Sequence, residues 1–189
     1  MSETTRAVGL VPEALQAFTE RVHGVPDDAW ARQTPCTDWT VRDLLNHVTS
    51  EHLWAADLLA GKSLQEVGDR YDGDVLGDDP VAAWDRASAG SLAAWRRATP
   101  DQTVELSRGE TPASQYAEEM LVDLVVHGWD LARGAGLDER MPRDAVLRAL
   151  AFARAHESEL EGSGMFAEPV PTESDDPQDQ LVALLGRRP

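Results

Sequence analysis

The sequence predicts an all-α fold, a four-helix bundle with an additional C-terminal helix and an extended tail. Three observations carry that prediction. Five stretches place apolar residues three and four apart, the period of a helix with one buried face. The one stretch that alternates apolar and polar residues, TVELS at 103–107, is too short and solitary to change the fold class. The connections are mostly short and punctuated by Gly and Pro, as between neighbouring helices of a bundle.

Taken in order, the first helix is predicted over residues 12–22, with Pro12 in its first turn and Leu15, Phe18 and Val22 on one face. Gly24 and Pro26 end it. The second opens at Thr37 or Asp38 as N-cap, aligns Val41, Leu44, Leu45, Val48, Ala55, Leu58 and Leu59 on one side, and stops at Gly61. Residues 62–79, rich in Gly and Asp without sustained periodicity, read as a loop across the outside of the fold that can serve as a lid. A third helix is predicted over 81–98 and a fourth over 113–133, the latter stopping near Gly134 and Gly136. A fifth follows Pro142 to about residue 160; beyond it comes a Pro, Gly and Asp-rich tail closed by LVALLG, an apolar patch able to dock on the bundle.

A chain of 189 residues suits one domain spanning 1–189. Its formal charge of −17 repels nucleic-acid phosphates and anionic membrane surfaces. No apolar run reaches the roughly 18–20 residues of a membrane span, and no basic, signal-like segment opens the sequence. A soluble, cytoplasmic protein is the expectation. The single Cys36 excludes an internal disulfide and a multi-cysteine metal site, so any metal must be held by nitrogen and oxygen.

The fourth helix carries the chemistry. Within DLVVHGWDLARG (123–134), Asp123, His127 and Asp130, with Glu119 one turn before, fall within roughly 80° of arc. Such a stripe is either a solvated face or the lining of an internal cleft. Val122, Val126 and Trp129 on one edge and Met120 and Leu131 on the other favour the cleft. Asp123 and His127, four residues apart, set a carboxylate oxygen and an imidazole nitrogen side by side, as a shared divalent ion requires. An enzyme metal commonly takes three protein ligands and leaves a position open, so a third ligand is expected from another helix. The second helix offers His47, on the margin of its apolar face, and Glu51, within that face, where an unpaired carboxylate is costly. His52 projects differently and is a weaker candidate; His23 and His156 read as surface residues. The six tryptophans read as bundle anchors and Cys36 as structural, with nothing basic beside it in sequence.

The segments CTDWTVRDLLNHV (36–48), DLVVHGWDLARG (123–134) and PVPTESDDPQDQLVALLGRRP (169–189), together with 51–85, resemble an actinobacterial branch of the DinB-like superfamily related to the metal-binding domain of mycothiol-dependent maleylpyruvate isomerase. The resemblance spans nearly the whole chain. It implies a DinB-like four-helix bundle and a divalent metal, zinc or nickel, held by His47, Asp123 and His127, with Asp where the isomerase uses Glu. The sequence ends at residue 189 without the isomerase's separate C-terminal domain, so isomerisation of maleylpyruvate is not implied; the metal and the thiol cofactor mycothiol are.

The leading expectation is a metal-dependent S-transferase joining a low-molecular-weight thiol to an electrophilic substrate, with Glu51 as general base or fourth ligand and Asp130 orienting His127 from behind. Two alternatives stand beside it: a metal-dependent hydrolase using the same residues, and a non-catalytic metal or small-ligand binding protein. A homodimer is compatible with all three.

Overall fold

Helix α1 runs Glu3–Gly24 in the computed structural model, which describes residues 3–36, 38–163 and 166–189. It starts well before the predicted 12–22, so Pro12 lies inside it. An interior Pro costs a helix about 3 kcal/mol. Here Ala7, Val8 and Val11 are buried against the bundle, and that burial carries the helix back through the proline.

Helix α2 (Val41–Leu59) begins two to three residues later than predicted. Thr37 lies outside the described residues, and Asp38 lies in a turn. The N-cap is Thr40, whose hydroxyl accepts from the Asp43 N–H at 3.2 Å while the Asp43 carboxylate accepts from the Thr40 N–H at 3.0 Å. An antiparallel bridge of Gln33 with Thr40 and a bond from Trp39 N–H to Cys36 O at 2.9 Å keep the preceding residues out of the helix.

The acidic connection contains a one-turn helix, α3 (Leu64–Val67), and is tied down rather than loose. Asn46 of α2 donates to Gly73 O at 2.8 Å and accepts from Val75 N–H at 2.8 Å. Ser50 donates to Tyr71 O at 3.0 Å, and Arg42 pairs with Asp74 at 2.9 Å. Helix α4 (Pro80–Trp95) follows, capped by Asp79.

The TVELS run is extended, but not solitary. Strand β1 (Thr103–Leu106) pairs antiparallel with β2 (Gly109–Pro112), a segment whose Gly and Pro gave no alternating signal. Helix α5 (Ala113–Ala135) then crosses the molecule and ends at Gly136. The predicted fifth helix is two: α6 (Arg143–Ala155) and α7 (Glu157–Ser163), broken at His156. The closing apolar patch lies within and just beyond α8 (Pro177–Leu184).

Helix α1 packs on α5 and α4, and α2 packs on α4 and α5, so the four long helices close a ring; α6 covers α1 and α5, and α8 packs on α6. Phe18, Leu44, Leu45, Trp84, Trp95, Leu121, Leu124, Trp129 and Leu131 fill the centre. The result is an all-α bundle with a two-stranded hairpin at one side. Among the described residues no helix is long and apolar enough to cross a membrane.

Close approach of α5 to the segment before α2 depends on Gly134. A Cβ there would lie 3.0 Å from side-chain carbons of Thr34 and Val41 and 3.2 Å from Gln33 O. The contact brings the α2 N-terminus alongside the C-terminal half of α5, where the polar stripe lies.

Candidate metal centre

The stripe of α5 faces inward. Asp130 is fully buried, His127 is 5% exposed, and Asp123 is half-buried. His47, from α2, meets them. One oxygen of Asp123, Oδ1, lies 3.3 Å from His127 Nε2 and 3.5 Å from His47 Nε2. The three ligand-type atoms of His47, Asp123 and His127 all lie within 4.8 Å of one another.

These residues fit a divalent ion on three counts. Ligand atoms held tetrahedrally at about 2.0–2.1 Å stand about 3.3–3.4 Å apart, close to the two separations from Asp123 Oδ1. The second oxygen of Asp123, Oδ2, is buried without a hydrogen-bond partner among the described residues, a costly arrangement for a carboxylate that a cation would relieve. Two imidazoles and a carboxylate are donors suited to zinc or nickel.

The His127 tautomer follows from its other side. Nδ1 lies 3.1 Å from Asp130 Oδ2. Oδ2 takes the Nδ1 hydrogen, so Nε2, turned to Asp123, is the atom that would bind a metal once its own proton is displaced.

Charge in the cluster is unevenly balanced. Burial opposes a charge on His127, but the charge and hydrogen bond of Asp123, helped by Asp130, more than offset it and raise the imidazole to about 9. Burial likewise opposes the Asp123 carboxylate, yet the charge and hydrogen bond of His127, then those of His47, hold it far below the usual carboxylate range. Glu51, half-buried one turn beyond His47, goes the other way: burial first, then the Asp123 charge, pushes its carboxyl up, against the pull of His47 and His127. It stands outside the three-residue group but within the reach of all three charges.

Two neighbours are not apparent in the sequence. Trp39, read there as an anchor, lies over the site with its ring 4.7 Å from that of His47 and 5.6 Å from that of His127. Its signal is its place in CTDWTVRDLLNHV, immediately before the α2 cap. Arg187, in the tail, binds Asp130. Its charge also reaches Cys36, which has no basic neighbour in sequence. Burial nevertheless dominates there and pushes the thiol up, so Cys36 is not an activated nucleophile.

The remaining histidines lie elsewhere. His52 is fully buried, bonded through Nδ1 to Ser91 Oγ at 2.8 Å, and set edge-on to Trp84. His23 pairs with Asp85 at the surface, and His156 bonds to Phe152 O. Glu119, first in the stripe, pairs with Arg108 of the hairpin turn.

Outside the ring, His47 and Trp39 form part of the wall of an open cleft of about 590 Å³. Asn46 and Ser50 of α2 and Tyr71, Asp72 and Gly73 of the tied-down loop complete most of it. Its size suits a small organic ligand.

The fold and this cluster define a helical-bundle protein with a His, Asp, His group able to hold a divalent metal. Residues 11–132 match the family described as the mycothiol maleylpyruvate isomerase N-terminal domain. This chain belongs to that family. It is also 32% identical, over 185 residues covering 92% of this chain and 93% of the relative, to an uncharacterised protein of Mycobacterium tuberculosis found in both strain CDC 1551 / Oshkosh and strain H37Rv. No solved structure gives a significant match.

Proposed function

We propose that this chain is a single-domain, cytoplasmic, metal-dependent S-transferase that joins a low-molecular-weight thiol, mycothiol by its family, to an electrophilic small molecule. The observation that carries the reading is the convergence of His47 Nε2, Asp123 Oδ1 and His127 Nε2 beside an open cleft, with Asp123 Oδ2 buried and unpartnered among the described residues.

His47, Asp123 and His127 would hold the ion, zinc or nickel by donor type. When bound, the metal supplies Lewis acidity that lowers the pKa of a thiol. The chain's residues do the rest. Asp130 keeps the hydrogen on His127 Nδ1, so that Nε2 faces the site. Trp39 covers the imidazoles and limits water there. The Glu51 carboxylate, held above its ordinary pKa, accepts the thiol proton; the thiolate then forms the S–C bond as the electrophile's π bond, or its bond to a leaving group, breaks and takes the electron pair.

The test is metal analysis of chain purified without chelator, followed by titration with mycothiol. One ion per chain and saturable thiol binding are expected. Metal without thiol binding would replace the transferase with a hydrolytic or purely binding role, and absence of stoichiometric metal would overturn the reading. Glu51→Gln assigns the base: metal content should persist while conjugation of thiol to an electrophile falls roughly 10²-fold. Loss of metal in that variant would make Glu51 a ligand instead.

A further inference from the structure

We infer that Arg187, from the turn after α8, is a positioning residue for the metal centre: it fixes Asp130, and through Asp130 the orientation and tautomer of His127. The inference rests on the metal reading above and extends it to a part of the chain outside the family match, which ends at residue 132.

The geometry is a relay of three groups. Arg187 Nη2 donates to Asp130 Oδ2 at 2.9 Å, and its Nε lies 3.3 Å from both Asp130 oxygens. That same Oδ2 accepts from His127 Nδ1 at 3.1 Å. The Arg187 side chain is 5% exposed and that of Asp130 0%, so the pair is shielded from water. A carboxylate this deep is tolerated only with a cation against it. Arg187 supplies that cation and holds Oδ2 in place between the guanidinium and His127 Nδ1. Without the fork the Asp130 carboxylate is free to rotate, and His127 loses the fixed acceptor that orients its ring.

The tail is shaped to deliver this guanidinium. Leu181 and Leu185 are buried in the core and seat α8. Gly186 then turns with φ +84°, and a Cβ at that position would lie 2.6 Å from Ala167 Cβ and 2.8 Å from Ala167 O, so only glycine makes the turn. Arg187 N–H bonds to Val182 O at 2.8 Å, and its Nη1 donates to Leu185 O at 2.7 Å, which fixes the direction of the fork. From the other side Arg133, one turn beyond Asp130 on α5, donates to Arg188 O at 2.7 Å. A simple staple needs any buried contact between tail and α5; this one ends on the carboxylate oxygen that holds a ligand imidazole.

The experiment is a cobalt(II) titration of the full chain, following affinity and the visible d–d spectrum, with circular dichroism as the fold control. Arg187→Met should weaken cobalt binding by roughly 10- to 100-fold, as losses behind a ligand histidine do, and alter the spectrum while the helix signal stays. Arg187→Lys, which keeps the charge but not the fork, should recover part of the affinity. Where Arg187→Met does not fold, the double variant Asp130→Leu with Arg187→Met removes the buried charge with its partner and should fold yet bind cobalt as weakly. Wild-type affinity and spectrum in a folded Arg187→Met, or in the double variant, would overturn the inference and leave Arg187 a staple. Failure of the unmodified chain to bind cobalt would instead remove the metal reading, and this inference with it.

Discussion

Helix α5 buries two acidic clusters less than two turns apart, and they are built differently. Glu118, 2% exposed at its side chain, points to α6, where Arg148 Nε donates to both carboxylate oxygens at 2.9 and 2.8 Å and Nη2 adds a further bond. Each oxygen is satisfied, and the cluster locks two helices together. Asp123 offers Oδ1 to two imidazoles and leaves Oδ2 buried with no hydrogen-bond partner among the described residues. Both carboxylates carry a desolvation cost. The saturated one recovers it from the protein; the unsaturated one has capacity left for a ligand. Saturation, more than burial or charge, separates the staple from the site.

That contrast can be broken by a pair of substitutions. His127→Ala should abolish stoichiometric metal binding while the bundle stays folded, because the apolar faces of α1, α2, α4 and α5 are complete without an ion, unlike a zinc finger. Glu118→Ala should do the reverse: metal affinity unchanged, but stability lowered by about 1.5–3 kcal/mol because the charged hydrogen bonds that tie α5 to α6 are lost. Metal content and chemical denaturation on both variants read the result. Cooperative unfolding in His127→Ala, or loss of metal in Glu118→Ala, would erase the distinction.

The open cluster should also show itself in pH. In the apo protein His127 holds a proton up to about 9, and a metal must displace it to reach Nε2. Affinity is therefore expected to rise about tenfold per pH unit between pH 6 and 9 and to level off above, where that proton is already gone. Calorimetry in buffers of different ionisation enthalpy should find about one proton released from this group per ion at pH 7. Binding that is flat over the range would mean that His127 is not displaced and is no ligand.

Legibility in the sequence follows the distance over which a feature is encoded. The apolar periods of α2, α4 and α5 are local, and so is the spacing of Asp123 and His127, so both helices and stripe can be read from the residues. His47 is legible because it sits at the margin of an apolar face. The α2 start is not, because Thr37, Asp38 and Thr40 can all cap; the bridge between Gln33 and Thr40 decides among them. The start of α1 is hidden by Pro12, whose usual first-turn meaning is overridden by burial of Ala7, Val8 and Val11. Arg187 is hidden most completely. It acts on a residue 57 positions away, and only the docking of α8 and the turn at Gly186 bring the two together.

Among the histidines the same comparison gives the smallest expected effect. His127 faces two carboxylates; His52, on α2, faces Ser91 and the edge of Trp84, and burial lowers its pKa from the ordinary 6.5 to about 4. The two should pull stability in opposite directions. His127, raised to about 9, contributes stability that is whole below pH 6.5 and is lost as pH rises through 9. His52 is neutral in the fold while the unfolded chain takes up a proton below 6.5, so its contribution falls as pH drops from 6.5 towards 4, by up to about 1.4 kcal/mol per unit. Between pH 7 and pH 5 the metal-free parent should therefore lose about 2 kcal/mol more stability than His52→Gln, which cannot titrate. The comparison between variant and parent isolates His52 from the carboxylates, which titrate in both. An equal loss in the two proteins would mean that His52 is protonated in the fold and that its pocket is more polar than Ser91 and Trp84 make it.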